Sequence, residues 1–234
     1  GDWSSDVCSS DLTSKSSGRA RLLRAQLLAE AGQNDNALKV VRQGRKDFAE
    51  IPDFQEFEIR LLARQKQMTD ALKVAREAVK TWPDNTDLAF LLGSLLDETG
   101  DKKGAFTVME GILTSHPDNY QALNYVGYTL AEESRELERA VKLLVRANEL
   151  SPDQAYIVDS LAWALFKSGR LEEALSEIRR AVKLGDQVDP SIWEHYGDIA
   201  QRMGLKDEAR KAYQKALDLK PANAETLRQR LSTL

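Results

Sequence analysis

Cysteine occurs once in the 234 residues, at Cys8, and histidine twice, at His116 and His195. That scarcity removes a disulfide framework and any thiolate metal set. The two histidines sit far apart in sequence, with no cysteine or paired carboxylate at ligand spacing beside either, so neither a metal nor another cofactor is expected. Phosphate-cradling glycine loops and nucleophile-elbow motifs are missing as well, and the residues point to a non-enzyme. No run of about 18 apolar residues exists, so no segment reads as a membrane span. Charge of one sign is also lacking. The net charge is −4, and without Gly1–Leu12, which carries Asp2, Asp6 and Asp11 and no base, the remainder lies within one charge of neutrality. Such a balance gives no global electrostatic reason to bind nucleic acid.

Proline is scarce too, with six residues, but their placement is informative. Pro83, Pro117, Pro152 and Pro221 each close a segment of the form A-x3-φ-x2-A-x4-P, where φ is apolar or Ala. The matching residues are Ala71/Ala75/Ala78, Ala105/Met109/Ile112, Ala140/Leu144/Ala147 and Ala209/Tyr213/Ala216. Pro117 follows Pro83 by 34 residues and Pro152 follows Pro117 by 35. One further copy, LEEALSEIRRAVKLGDQ, keeps Ala174, Ile178 and Ala181 but has no proline. Pro52 and Pro190 open repeats instead of closing them.

Upstream of each first alanine stands a small residue, Gly93, Gly127, Ala162 or Gly197, and less clearly Ala25. Turn glycines follow at Gly32, Gly100, Gly169 and Gly204. Small side chains let two helices approach closely. A glycine in the left-handed conformation ends the first helix, and proline stops the second or starts the next. The expected unit is a pair of antiparallel helices.

These residues resemble the tetratricopeptide repeat, W-x2-L-G-x2-Y-x8-A-x3-F-x2-A-x4-P over 34 residues. The resemblance covers residues 18–223 and implies an all-α fold, a right-handed α-solenoid of tandem helix-turn-helix repeats. Six copies parse as 18–51, 52–85, 86–119, 120–154, 155–189 and 190–223. The last is the fullest match, with Trp193, Tyr196, Gly197, Gly204, Ala209, Tyr213, Ala216 and Pro221. The second departs most, carrying Glu58 and Ile59 where the family has Leu-Gly, and the fourth holds one extra residue between Gly127 and Ala140. Residues 224–234, with Ala224, Leu227, Leu231 and Leu234 on one face, read as a C-terminal capping helix.

The opening GDWSSDVCSSDL has no helical period and resembles the translation of a short-read sequencing adapter. Residues 1–17 are therefore read as an artefactual, disordered segment, with the chain truncated ahead of Leu22, Leu23, Leu27 and Leu28, whose stacking partner is missing. A metagenomic, bacterial source follows from that reading.

Family resemblance places a peptide-binding groove along the first helix of each repeat. The residues it assigns there are Phe90, Asn124, Tyr128, Tyr156, Asp159, Trp163, Glu194 and Asp198, with Phe166 beside them. Aromatics in a groove bury large area at small entropy cost, and an asparagine can bond an extended backbone. The same aromatics, Trp163 and Phe166 above all, also suit plain packing between helices, and the acidic residues suit a solvated surface. Asn124, Tyr128, Asp159 and Glu194 stand where chaperone-adaptor members of the family hold a terminal carboxylate with Lys, Asn and Arg, which argues against an acidic-tail clamp. The expected function is a non-catalytic scaffold or adaptor for a protein or peptide partner. Phrases such as ALNYVGYTLAEES resemble bacterial envelope repeat lipoproteins, so a periplasmic or outer-membrane-associated location is favoured over a cytoplasmic one. The alternatives are a recruiting module of a larger enzyme and self-assembly into a homo-oligomer.

Overall fold

Thirteen α-helices, and no strand among the described residues, make up the computed structural model, which describes residues 4–185 and 189–234, with side chains from Ser16 onward. The architecture is an all-α solenoid of helix-turn-helix repeats. It divides into two compact units, one up to Val108 and one from Met109 onward.

The first unit contains α1 (Ser4–Glu30), α2 (Asn34–Asp47), α3 (Asp53–Arg64), α4 (Met68–Thr81), α5 (Thr86–Glu98) and the start of α6 (Lys102–Ser115). Its first two repeats are joined through aromatic packing. Phe48 and Phe54 stack at 5.9 Å, with Leu22 buried against them and Ile51 and Phe57 alongside. The reason for the unusual second repeat lies at Gly44. A Cβ there would stand 2.2 Å from the Phe54 ring, so the close approach that the family places at the glycine of helix A occurs here on α2. Ile59, at the usual glycine position, is fully buried instead. Beside it the buried Glu58 accepts from Arg42 at 2.8 Å and from Arg45 at 2.6 Å, both on α2.

In the second unit follow α7 (Tyr120–Glu132), α8 (Leu137–Leu150), α9 (Ala155–Lys167), α10 (Leu171–Ala181), α11 (Pro190–Arg202), α12 (Lys206–Asp218) and α13 (Ala224–Ser232). Small residues set the pair spacing as their positions suggest. A Cβ on Gly127 would meet Leu144 of α8 at 2.6 Å, and one on Gly197 would meet the Tyr213 ring of α12 at 2.2 Å. The terminal helix α13 buries Leu227 with Ala200, Ala209, Tyr213 and Ala216, and Leu231 and Leu234 pack on the same cluster.

Caps and turns follow the punctuation. Asn85 and Asn119, each two residues after a closing proline, accept the N–H of Leu88 and Ala122 and so cap α5 and α7. Asp189 caps α11 with Pro190 in its first turn. Gly32, Gly100, Gly169 and Gly204 all have positive φ. The second repeat has no turn glycine, and Lys66 takes the left-handed conformation itself, at φ 61°. Its N–H reaches Ala63 O and the next N–H reaches Leu62 O, the same pair of bonds that Gly100 and Asp101 make. In the fourth repeat the extra residue is accommodated by two left-handed residues, Ser134 and Glu136.

Residues 1–3 lie outside the described residues, and from Ser4 the backbone is helical and continuous with the packed part of α1. The segment 186–188, near the end of the fifth repeat, also lies outside the described residues.

Two stability measurements check this account. Gly197→Ala drives a methyl into the fully buried Tyr213 ring and is expected to lower unfolding stability by about 1–3 kcal/mol in urea titration. Lys66→Gly relieves a left-handed L-residue and is expected to raise stability by up to about 1 kcal/mol. The lost Lys66–Glu98 pair, exposed on both sides, subtracts only a fraction of that.

Candidate functional site

The first helices of the last three repeats, α7, α9 and α11, carry most of the residues assigned to a groove, and α9 contacts both of the others. Their side chains form one network. His195 Nδ1 on α11 lies 2.9 and 3.0 Å from the two carboxylate oxygens of Asp159 on α9, and both residues are buried. The imidazole stacks on Trp163, centroids 4.1 Å apart and planes 16° from parallel. Trp163 also stacks on Phe166 at 5.1 Å, lies 5.0 Å below the Lys167 ammonium, and donates its indole N–H to Glu132 of α7. Tyr128, one turn before Glu132, stands 6.4 Å from the histidine ring.

Electrostatics bind this cluster as much as packing does. Burial acts to lower the His195 pKa, but the hydrogen bond and charge of Asp159, with Asp198 and Glu132 behind it, hold it above the ordinary 6.5. Burial pushes the Tyr128 hydroxyl up, and Glu132, Asp159 and Glu194 push it further. Phenolate chemistry at Tyr128 is thereby suppressed, and the hydroxyl is a neutral donor and acceptor.

The acidic residues of α11 are engaged by the C-terminal helix. Arg230 on α13 reaches Asp198 at 2.7 and 2.8 Å and Glu194 at 3.0 Å. Asn223 donates to Glu194 at 2.8 Å, and the Tyr213 hydroxyl donates to Asp198 at 2.6 Å. Glu194 and Asp198 therefore form an internal ion-pair cluster and not a solvated stripe. Asp159 likewise serves His195.

The eight assigned residues thus separate. Asp159, Trp163, Glu194 and Asp198 are brought together, through His195 and Arg230, into a self-paired network. Trp163 is only 8% exposed, so it supports the surface from below and does not line it. Tyr128 and Asn124 share a face of α7 one turn apart and are both partly open, and the buried Oδ1 of Asn124 has no hydrogen-bond partner. Tyr156 is 44% exposed near Tyr120, and burial with Tyr120 raises its hydroxyl pKa. Phe90 belongs to α5 in the first unit. Sequence reasoning missed His195 and Arg230. Each lies one repeat, give or take two residues, beyond its carboxylate partner, a spacing that becomes a signal only once the stacking register is known.

The geometry of paired helices has its counterpart in the comparisons with known proteins. A tetratricopeptide repeat profile matches residues 22–86, 58–118 and 160–224. The chain belongs to the tetratricopeptide repeat family. Among curated relatives, it is 33% identical over 87 residues to the TPR repeat-containing protein PA4667 of Pseudomonas aeruginosa, covering 37% of this chain and 14% of that protein. It is 26% identical over 136 residues to the TPR repeat-containing protein YpiA of Bacillus subtilis, covering 58% of this chain and 31% of that one. The chain thus spans well under half the length of these relatives. Two solved structures share the fold over most of the chain. PilF of Pseudomonas aeruginosa superposes with TM-score 0.74 at 14% identity, covering 93% of this chain and 99% of its own. PilW, described as a widely conserved type IV pilus biogenesis factor, gives 0.72 at 15% identity, covering 90% and 97%. Members of this family are generally non-catalytic scaffolds that bind protein partners. Among the described residues no cluster suited to a metal ion occurs, and no helix is long and apolar enough to cross a membrane.

The His195–Asp159 pair gives a pH prediction with a definite sign. A folded pKa held above the unfolded value contributes stability that is complete below about pH 6.5 and fades as pH rises through the folded value. Asp159→Asn removes the charge with little change of shape. Its loss of melting temperature is expected to be several degrees larger at pH 5.5 than at pH 9, read by circular dichroism. Equal losses at the two pH values would exclude a charged pair.

Proposed function

We propose that this chain is a non-catalytic adaptor that holds an extended segment of a protein partner against α7 and α9, with Asn124 and Tyr128 as the gripping residues and Tyr156 at the rim. The observation that carries the reading is the unpartnered Oδ1 of Asn124 beside the half-open Tyr128 ring. A buried acceptor without a partner costs about 1–3 kcal/mol. A small rotation of this partly exposed side chain presents it to a backbone N–H of a bound segment, which recovers that cost. Tyr128 then supplies flat area with two rotatable bonds, a favourable ratio of contact to entropy lost.

Beneath these residues the Trp163–His195–Asp159 network keeps the platform rigid, so little ordering remains to be done on binding. The reading extends to a partner within a bacterial envelope assembly, supported by the resemblance of ALNYVGYTLAEES and its neighbours to envelope repeat proteins.

Peptides selected from a random display library on the native chain provide the test. Asn124→Ala combined with Tyr128→Ala is expected to weaken the selected peptides at least tenfold, with helicity unchanged. Trp163 is left intact because its removal would destabilise the platform itself. Equal binding by a well-folded double variant would refute the groove reading.

A further inference from the structure

The second repeat breaks the apolar pattern of the solenoid at two neighbouring places. Gln55 and Glu58 on α3 stand where the later repeats carry apolar or aromatic residues, Ala89 and Leu92, Leu123 and Val126, Val158 and Leu161, and Trp193 and Tyr196. Both are buried, at 8% and 1% exposure, so neither is a polar residue at the surface. Glu58 is satisfied, because Arg42 Nε and Arg45 Nη1 donate to its two carboxylate oxygens. Gln55 is not. Its buried Oε1 has no hydrogen-bond partner. A repeat held together by packing alone gains nothing from a buried acceptor left unmet, and a leucine would serve it better.

Gln55 and Glu58 line a cavity of about 450 Å³ together with Arg42, Arg45 and Lys46 of α2 and Thr81 at the end of α4. That volume falls within the range of small-molecule sites, about 300–1,000 Å³. The lining is unbalanced in charge, with three cations against one carboxylate. Glu77, 53% exposed, comes only within 3.8 Å of Arg45 Nη2 and offsets little of that excess. Arg42 bonds Glu58 through Nε alone, which orients the guanidinium and leaves its terminal N–H groups as uncommitted donors. Lys46, one turn further along α2, is exposed and in no ion pair among the described residues. These features specify a ligand. A phosphate monoester carries about −1.5 to −2 charges at neutral pH and matches the excess better than a singly charged carboxylate does. Its phosphoryl group suits Arg42 and Lys46, but as a dianion it has only acceptors and leaves Gln55 Oε1 unmet. The missing donor then has to come from the organic part, as a hydroxyl close to the ester.

We propose that the cavity between α2 and α3 binds a small hydroxylated phosphate monoester, of the polyol phosphate class. Arg42 and Lys46 hold the phosphoryl oxygens, Glu58 anchors the two arginines from below, and Gln55 Oε1 accepts from the neighbouring hydroxyl. The site is built wholly within the first unit and shares no residue with the groove on α7 and α9, so the two readings stand or fall separately.

Isothermal titration calorimetry of the full chain with three probes tests this. Glycerol 3-phosphate has both the phosphoryl group and the hydroxyls, glycerate replaces the phosphoryl group by a carboxylate, and methyl phosphate lacks the hydroxyls. Glycerol 3-phosphate is expected to bind once per chain, about tenfold or more tighter than either of the others. Lys46→Gln, at an exposed site, is expected to leave the melting temperature unchanged and to weaken both phosphate esters about tenfold. Gln55→Leu is expected to raise the melting temperature and to bring glycerol 3-phosphate down to the affinity of methyl phosphate, which itself is unchanged. A purely structural Gln55 would not move that ratio. No binding of glycerol 3-phosphate at millimolar concentration, equal affinity for the three probes, or equal affinity of the native chain and Lys46→Gln overturns the proposal. A Gly-Gly-phosphoserine-Gly peptide bound more tightly than glycerol 3-phosphate would overturn it in favour of a phosphorylated protein partner.

Discussion

The distance between paired helices is the constraint on which the remaining structure depends. Where Gly127 faces Leu144 and Gly197 faces Tyr213, there is no room for even one methyl group, so two helix backbones approach until a single large side chain fills the space between them. That approach places the buried alanines of each second helix against the next repeat and fixes the register of every later pair. Dense packing of this kind tolerates substitution poorly, because neither partner can move without disturbing a further neighbour. The second repeat shows that the constraint concerns distance and not residue identity. There the small residue has moved from helix A to Gly44, and Phe54 occupies the space that the exchange opened.

On this scaffold the helices of the second unit carry a polar network that crosses from repeat to repeat. Glu132 holds Trp163, Trp163 stacks on His195, His195 pairs with Asp159, and one helix further on Arg230 closes over Glu194 and Asp198. Each carboxylate is met by a donor from the following first helix or from α13. The arrangement pairs the buried Asp159 with His195, which offsets the desolvation penalty that an unpaired carboxylate would bring. It also leaves Asn124 as the polar group on this face whose acceptor is not satisfied from within, next to the ring best placed to contact something else.

Much of the fold was legible because glycine, alanine and proline act through local geometry. Left-handed glycines and the close-approach glycines Gly127 and Gly197 sit where their positions imply, and Lys66 shows that the turn persists even when its usual residue is absent. The site was less legible. Asp159 and Glu194 were recognisable as residues of the first helices, but whether they face a ligand or an internal base depends on which side chain lies one repeat away. His195 looked isolated because its partners are 36 and 32 residues distant in sequence.

The stacking of Trp163 on a buried imidazole has an optical consequence. An excited indole loses its energy readily to a protonated imidazole in van der Waals contact, and far less readily to a neutral one. The ring pair is closed to solvent, so its light emission depends on the proton at His195 and hardly at all on added quenchers. Trp163 is therefore a built-in fluorescent reporter of whether the three repeats around that ring are in register, read as the difference from a Trp163→Phe chain because Trp3, Trp82 and Trp193 emit as well.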